Sequence, residues 1–365
     1  MAEGSDGLSG VIAGQSAIAT VGKAGRGLSY RGYAIEDLAE GACFEEVAYL
    51  LIHGQLPSEG ELAEYRARLA AWRELPEAVC DILQRLPSDA HPMDVLRTGC
   101  SALGAVKPVE NPADVMEAAN KLLAQLPTVI GSWRHADVDI ASASSHAAHA
   151  LTQLGAGPVS PEAERALDIA MTLYAEHAFN ASTFTARTAA STLTDFHSAL
   201  TAAIGTLRGP LHGGANEAAL DLISSFESPE DAERGVIRAL EEKRLIMGFG
   251  HRVYRNNDPR SLIIEACADR LVSEYGGAEM LAISRRIEAV MRREKGLFPN
   301  LDFYSAVVLH QLGIEQRLFT PVFVIARITG WAAHIIEQLA DNKLIRPTAE
   351  YIGPAERLLV PISDR

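Results

Sequence analysis

The chain has 365 residues, 48% of them hydrophobic and 22% charged, with a formal net charge of −14. So acidic a balance argues against nucleic acid and against an anionic membrane surface, both of which favour a basic face, so an anionic ligand has to be held by local arginines. No run approaches the ~20 continuous apolar residues of a membrane span, the opening Met1-Ala2-Glu3-Gly4-Ser5-Asp6 is polar and acidic rather than a leader, and the cytoplasm is the expected location. Cys43, Cys80, Cys100 and Cys267 form no C-x-x-C pair and read as buried free thiols.

Residues 9–34 are short, β-branched and glycine-punctuated, with Gly22–Gly27 as a turn, which predicts one or two small hairpins. Gly22-Lys23 does not make a phosphate loop. That motif needs a glycine where Ala17 stands and a hydroxyl residue where Ala24 stands. Apolar residues then recur at three-to-four spacing over 34–39 and 44–54, and Gly54 with Pro57 stops the second run. Further helices are predicted over 59–73, 76–86, 93–104, 111–125, 127–135, 143–154, 161–178 and 184–207, so the class is mainly α. Gly155–Pro158 reads as a loop rather than a domain linker.

Tyr174–Thr183 is the first polar cluster in an apolar setting. His177 there is either a core histidine or a site residue, and Asn180, Ser182 and Thr183 suggest a helix end followed by a cap. In Arg208–Glu217, Gly-Pro stops one helix and another starts at Ala218, placing His212 just before a helix N-terminus. The positive end of the helix disfavours imidazolium. His212 is thus either an idle turn residue or a neutral donor to a carbonyl that is becoming an enolate. Residues 225–245 read as an exposed loop and helix.

From Lys243 to Arg260 one lysine and four arginines stand against a single acid, Asp258, and this basic island is unlike the rest of the chain. Gly248 and Gly250 lack a third glycine at dinucleotide spacing. Either the segment is a solvated basic loop, or its glycine amides and Arg252, Arg255 and Arg260 hold phosphates and carboxylates. Asp258-Pro259-Arg260 is a turn or a helix start. Amphipathic helices follow at Ile263–Glu274 and Met280–Glu294. Asp302 opens the next apolar helix, either as its cap or as a carboxylate base whose pKa is raised by Phe298, Leu301 and Phe303. Thr320-Pro321 reads as a cap with proline in the first turn, and Val322–Leu339 is apolar on nearly every face. Arg327 lies in the middle of that helix, where a buried guanidinium needs an anion from the protein or from a ligand. Arg346 follows in a segment too short to pack alone.

Taken together, Leu-His-Gly-Gly-Ala-Asn at 211–216, Gly-His-Arg-Val-Tyr at 250–254, Asp-Pro-Arg at 258–260, Pro-Asn-Leu-Asp at 299–302 and the helix around Arg327 resemble the citrate synthase family in content and order, over about Gly10 to Pro361. Residues 90–99, 174–180 and 331–338 are more similar to its 2-methylcitrate synthases. Residues 250–254 and 301–305 are more similar to short bacterial citrate synthases. The extra N-terminal domain of longer, NADH-regulated relatives has no counterpart, so that regulation is not expected.

The resemblance implies an almost wholly α, two-domain fold and a homodimer. The large domain is 1–215 plus 316–365, the small mobile domain is 216–315, and the active site lies between them. It also implies roles. Oxaloacetate binds first, held by Arg260, Arg327 and the partner's Arg346, with His177 and His251 on its polar oxygens. Asp302 takes the α-proton of an acyl-CoA, His212 holds the enolate oxygen, and His251 serves the reacting carbonyl. Arg255 with the amides of Gly248 and Gly250 meets the CoA phosphates, and Asn300 sits near the thioester. Neither a metal nor a redox cofactor is implied. Rival readings are a non-catalytic dicarboxylate binder using the same arginines and a metal protein using His177, His212 and His251. His146-x-x-His149 adds only a weak metal-ligand spacing.

Overall fold

The computed structural model describes residues 11–22, 27–109, 111–134, 140, 143–156 and 159–365. The expected hairpins take the form of one three-stranded antiparallel sheet, β1 (Ala19–Val21), β2 (Leu28–Tyr30) and β3 (Tyr33–Ala34), in that order. Ala19 pairs with Tyr30, and Ser29 with Ala34. Residues 11–14 form no strand, while Ser9, Gly10 and the turn residues Lys23–Arg26 lie outside the described residues.

Helices follow almost without interruption: α1 (Ile35–Gly41), α2 (Phe44–His53), α3 (Glu59–Ala71), α4 (Glu77–Gln84), α5 (Pro92–Val106), α6 (Val115–Trp133), α7 (His146–Gln153), α8 (Pro161–Tyr174), α9 (Ala181–Ser191) and α10 (Phe196–Leu207). The second half comprises α11 (Ala215–Ser224), α12 (Pro229–Glu241), α13 (Pro259–Tyr275), α14 (Ala278–Lys295), α15 (Leu301–Gln311) and α16 (Phe319–Ala340). Local chemistry sets many of the ends. Ser58 and Glu61 form a capping box on α3, Gly54 ends α2 in the left-handed region, and Asp258 caps α13.

Four expected boundaries are corrected. Pro127 does not separate two helices but lies inside α6. An interior proline costs about 3 kcal/mol, and here burial of most of the helix, Leu126 to Gly131 included, offsets it. The expected helix 184–207 is two helices. Leu193 takes a positive φ of 63°, and Asp195 restarts the chain by accepting from Ser198 N at 3.0 Å. α8 stops at Tyr174 rather than 178, leaving 175–180 as an irregular turn with Ala178 at φ 50°. α16 begins at Phe319, so Thr320 is not its cap; its hydroxyl instead donates to Glu217.

α16 is the central post. It packs against α2, α6, α8 and α9, and from Val324 to Ile335 it is buried throughout. By length and apolarity alone Gln316–Ala340 could cross a membrane, but 89% of its apolar window is buried inside the protein, as in a core helix. Elsewhere α12 packs on α14, and α15 on α11 and α13, while α13 also reaches α8. Beyond α16, residues 342–361 carry no helix or strand and are largely exposed, with Ile352 and Leu358 more than nine-tenths accessible.

Candidate active site

A cavity of about 1370 Å³ opens where the end of α8, the turn 175–180, the loop before α11, the 249–253 segment, the starts of α13 and α15, and α16 converge. His177, His212, Gly250, His251, Arg260, Asn300, Asp302 and Arg327 all line it. Residues spread over some 150 positions of sequence thus share one wall because the end of α8 and the starts of α13 and α15 meet α16 at this cavity.

The three histidines are held neutral. Burial, reinforced by Arg327, lowers His212 to about 4; burial and Arg260 lower His251 to about 4. His177 is driven well below its ordinary value by burial, with Arg260, His251 and Arg327 adding to it. The helix N-terminus predicted a neutral His212, but burial is the larger cause. The hydrogen bonds also select tautomers. Ser182 N donates to His212 Nε2 at 3.2 Å, and Ser182 Oγ lies 2.7 Å from the same atom. A backbone N–H can only donate, so Nε2 is the acceptor and the proton sits on Nδ1. His251 Nδ1 accepts from Val253 N at 3.0 Å and Tyr254 N at 3.3 Å, which leaves its proton on Nε2. His177 Nε2 meets Tyr254 Oη at 3.1 Å, and its ring lies 5.0 Å from that of His251.

The two cavity arginines differ. Arg260 is gripped by Asp258 through Nε (3.0 Å) and Nη2 (2.8 Å), and this pairing outweighs burial to hold the guanidinium charged. Arg327 donates from Nε to the carbonyl of Tyr174 at 2.6 Å and lies 4.4 Å from the centre of the Phe323 ring. Among the described residues no carboxylate pairs with it. Burial lowers its pKa, and Glu176 is the main group opposing that. A buried cation without a bonded anion, in the wall of a cavity, is a place for a ligand carboxylate.

Asp302 is not the cap of α15. Asn300 is, accepting from Asp302 N at 3.1 Å. The Asp302 carboxylate opens on the cavity, and its Oδ1 accepts from Tyr174 Oη at 2.9 Å. Burial raises its pKa, as the apolar neighbours predicted, while Tyr174, Arg260 and Arg327 pull the other way.

The remaining candidates sit elsewhere. Gly250 lines the cavity, but its N–H donates to Phe298 O at 2.8 Å, so that amide is not free for a phosphate as expected. Gly248 is buried at φ 85°, where an added Cβ would come within 3.0 Å of Phe303, and its carbonyl accepts from Asn300 N at 2.9 Å. These glycines stitch the 248–250 backbone to the start of α15; they do not form an open amide cradle. Arg255 and Arg346 are both exposed and outside the cavity wall. His146 and His149 are core residues of α7, and no cluster of three or more metal-ligating side chains occurs among the described residues.

Sequence reasoning missed four supporting residues. Asp258 is fully buried and also accepts from Leu301 N at 3.2 Å, tying α13 to α15. Ser182 orients His212, and Tyr174 holds Asp302. Glu176 pairs with His334 at 3.0 Å, both wholly buried, and packs so tightly on α16 that a Cβ at Gly330 would lie 2.3 Å from its Oε2. Tyr174, Glu176 and Ser182 stand in the polar cluster that the sequence singles out, but only the folded contacts reveal their partners.

A helical fold with a neutral-histidine, carboxylate and arginine cavity defines an enzyme that handles anionic, carbonyl-bearing substrates by acid–base chemistry. The chain belongs to the citrate synthase family: the family model for the citrate synthase C-terminal domain matches residues 7–348. It is 47% identical over 365 aligned residues to a 2-methylcitrate synthase of Shewanella oneidensis, covering 98% of this chain and 97% of that one. It is 40% identical to the citrate synthase of Synechocystis sp., covering 99% and 94%. Among solved structures, citrate synthase of Thermotoga maritima superposes with TM-score 0.86 at 36% identity, covering 98% of each chain. The Thermoplasma acidophilum citrate synthase, in a ternary complex with carboxymethyl coenzyme A and oxaloacetate, superposes with TM-score 0.91 at 32% identity, covering 100% of each.

Proposed function

We propose that this enzyme condenses oxaloacetate with a short acyl-CoA and water to release CoA and a tricarboxylate, with propionyl-CoA the preferred donor and 2-methylcitrate the product. Acetyl-CoA, giving citrate, is the alternative donor. The observation that carries the reading is Asp302, a carboxylate of raised pKa, in one cavity with the neutral His212 and the carboxylate-free Arg327. A dicarboxylate binder would need the arginines but not Asp302 and His212 together. The preference for propionyl-CoA rests on the 47% identity to a relative of that name and on 42% identity to a second, 2-methylcitrate synthase 2 of Corynebacterium glutamicum.

Arg327, the uncommitted Nη1 of Arg260 and the partner's Arg346 clamp the oxaloacetate carboxylates. His177 and His251 meet its other oxygens. Asp302 removes a proton from the α-carbon of the thioester, and the enolate oxygen accepts a hydrogen bond from His212 Nδ1–H, a contribution typically of ~10²–10³ in rate. The α-carbon attacks the ketone carbon of oxaloacetate while His251 Nε2–H donates to the ketone oxygen. Water then attacks the thioester carbonyl, and CoA leaves as the thiol. Asn300 lies at the thioester end and Arg255 meets the CoA phosphates; CoA enters as substrate and no resident cofactor takes part.

The proposed working unit is a cytoplasmic homodimer, each protomer with a large domain of 1–215 plus 316–365 and a small domain of 216–315 that closes over the bound dicarboxylate. The exposed apolar arm after α16, which carries Arg346, supports the dimer. Free-thiol release on mixing enzyme, oxaloacetate and either propionyl-CoA or acetyl-CoA tests the reaction. One methylene is worth only ~1–3 kcal/mol, so turnover of both is expected with the larger kcat/KM for propionyl-CoA. Asp302→Asn should abolish thiol release yet still bind oxaloacetate; normal turnover would remove Asp302 as the base.

A further inference from the structure

We propose that Tyr174 is the positioning residue of the proton-abstraction step, its hydroxyl holding one oxygen of Asp302 so that the other, Oδ2, is presented to the acyl-CoA. The inference rests on Asp302 being the base. Tyr174 is the last residue of α8 and is completely buried. Its hydroxyl donates to Asp302 Oδ1 at 2.9 Å. Burial raises the pKa of this hydroxyl, while Ser305 on α15 and Asn216 on α11 act in the opposite direction. An ionised carboxylate can only accept, so the single phenol proton is the one that makes the bond to Asp302. The ring is braced against Phe323 at 4.6 Å between centroids.

The same residue reaches the other half of the site. Its carbonyl accepts from Arg327 Nε at 2.6 Å. One residue at a helix end therefore aligns both the carboxylate-binding cation and the base, through separate atoms. A Phe substitution separates the two: it deletes the bond to Asp302 and leaves the backbone contact with Arg327.

The bond to Tyr174 stabilises the ionised form of Asp302. The other charged groups around that carboxylate are Arg260 and Asp258 at the start of α13 and Arg327 on α16; the arginines favour ionisation and Asp258 opposes it. Removing the hydroxyl leaves burial less opposed, so the base titrates at higher pH. Packing alone, which Phe preserves, would not move that titration.

The test is the pH dependence of kcat/KM for thiol release by Tyr174→Phe, beside the parent enzyme and Asp302→Asn. The acid limb should move up by about one pH unit, as expected for loss of one hydrogen bond to a charged group. The KM for oxaloacetate should stay within about threefold, because the Tyr174 carbonyl is retained. Ser305→Ala, which keeps the phenol but removes a polar group acting on its hydroxyl, should shift the limb in the same direction by less, and provides the measurement if the Phe variant does not fold. An unmoved acid limb in the folded variants, with Asp302→Asn inactive, overturns the role of Tyr174 and leaves the base standing. Turnover by Asp302→Asn removes the base itself, a separate failure.

Discussion

Asp258 offers the sharpest test of how the site is built. Its carboxylate is fully buried and accepts four bonds: from Arg260 N at 3.1 Å, Arg260 Nε at 3.0 Å, Arg260 Nη2 at 2.8 Å and Leu301 N at 3.2 Å. Asp258→Ala leaves a buried guanidinium without its counter-charge, a loss of about 3–5 kcal/mol. It also removes the cap of α13, typically about 1 kcal/mol, and the two do not add fully because they share one carboxylate. Against a total of roughly 5–15 kcal/mol for a folded domain, the variant should fold but unfold early. Asp258→Asn keeps one acceptor oxygen, enough for the cap on Arg260 N, but sets an amide NH2 against the Leu301 N–H and Arg260 Nη2 that Oδ2 now serves, so its loss should approach that of the Ala variant.

Equilibrium urea unfolding at fixed protein concentration measures both. Arg260 holds the Asp258 pKa below its ordinary value, with burial opposing. A depressed carboxylate contributes stability that is present above its unfolded pKa and lost as pH falls through the folded one. The difference between parent and Asp258→Ala should therefore shrink in strong acid. An Ala variant within about 1 kcal/mol of the parent at neutral pH, the range of an ordinary surface change, would refute the claim that this pair is a structural keystone.

Two further outcomes are expected. Inactive Arg346→Ala and inactive His212→Ala proteins, mixed and allowed to exchange subunits, should regain part of the thiol-release activity, because a hybrid dimer holds one complete site; no recovery after verified exchange would count against a shared site. His212 and His251 titrate at about 4 when folded and near 6.5 when unfolded. Below about pH 6.5 the unfolded chain then binds more protons, so stability should fall as pH drops from there toward 4. His212→Asn and His251→Asn should flatten that slope in denaturation series, and an unchanged slope would show that these rings are not held neutral.

Much of this site was legible in order along the chain. Glycine and proline stops bracket His212, the basic island marks Arg260, and a charged residue in a helix apolar all round marks Arg327, since burial of a cation demands an anion whatever the fold. Helical periodicity likewise determined the class and most element positions. Where it failed, burial overrode a local signal, as at Pro127, or a short polar stretch broke an apolar run, as at 192–195.

Partnership was decided by tertiary structure alone. Nothing in the spacing of Tyr174 and Asp302, 128 positions apart, says that a phenol holds the carboxylate, or that Ser182 sets the tautomer of His212 across 30 positions. The glycines of the basic island promised free amides, and the fold spends that of Gly250 on Phe298. Composition and periodicity specify which faces must be buried, but a hydrogen bond needs two groups placed within a few tenths of an ångström and correctly aligned. That placement comes only from the end of α8, packed on α16, meeting the starts of α13 and α15 at one cavity.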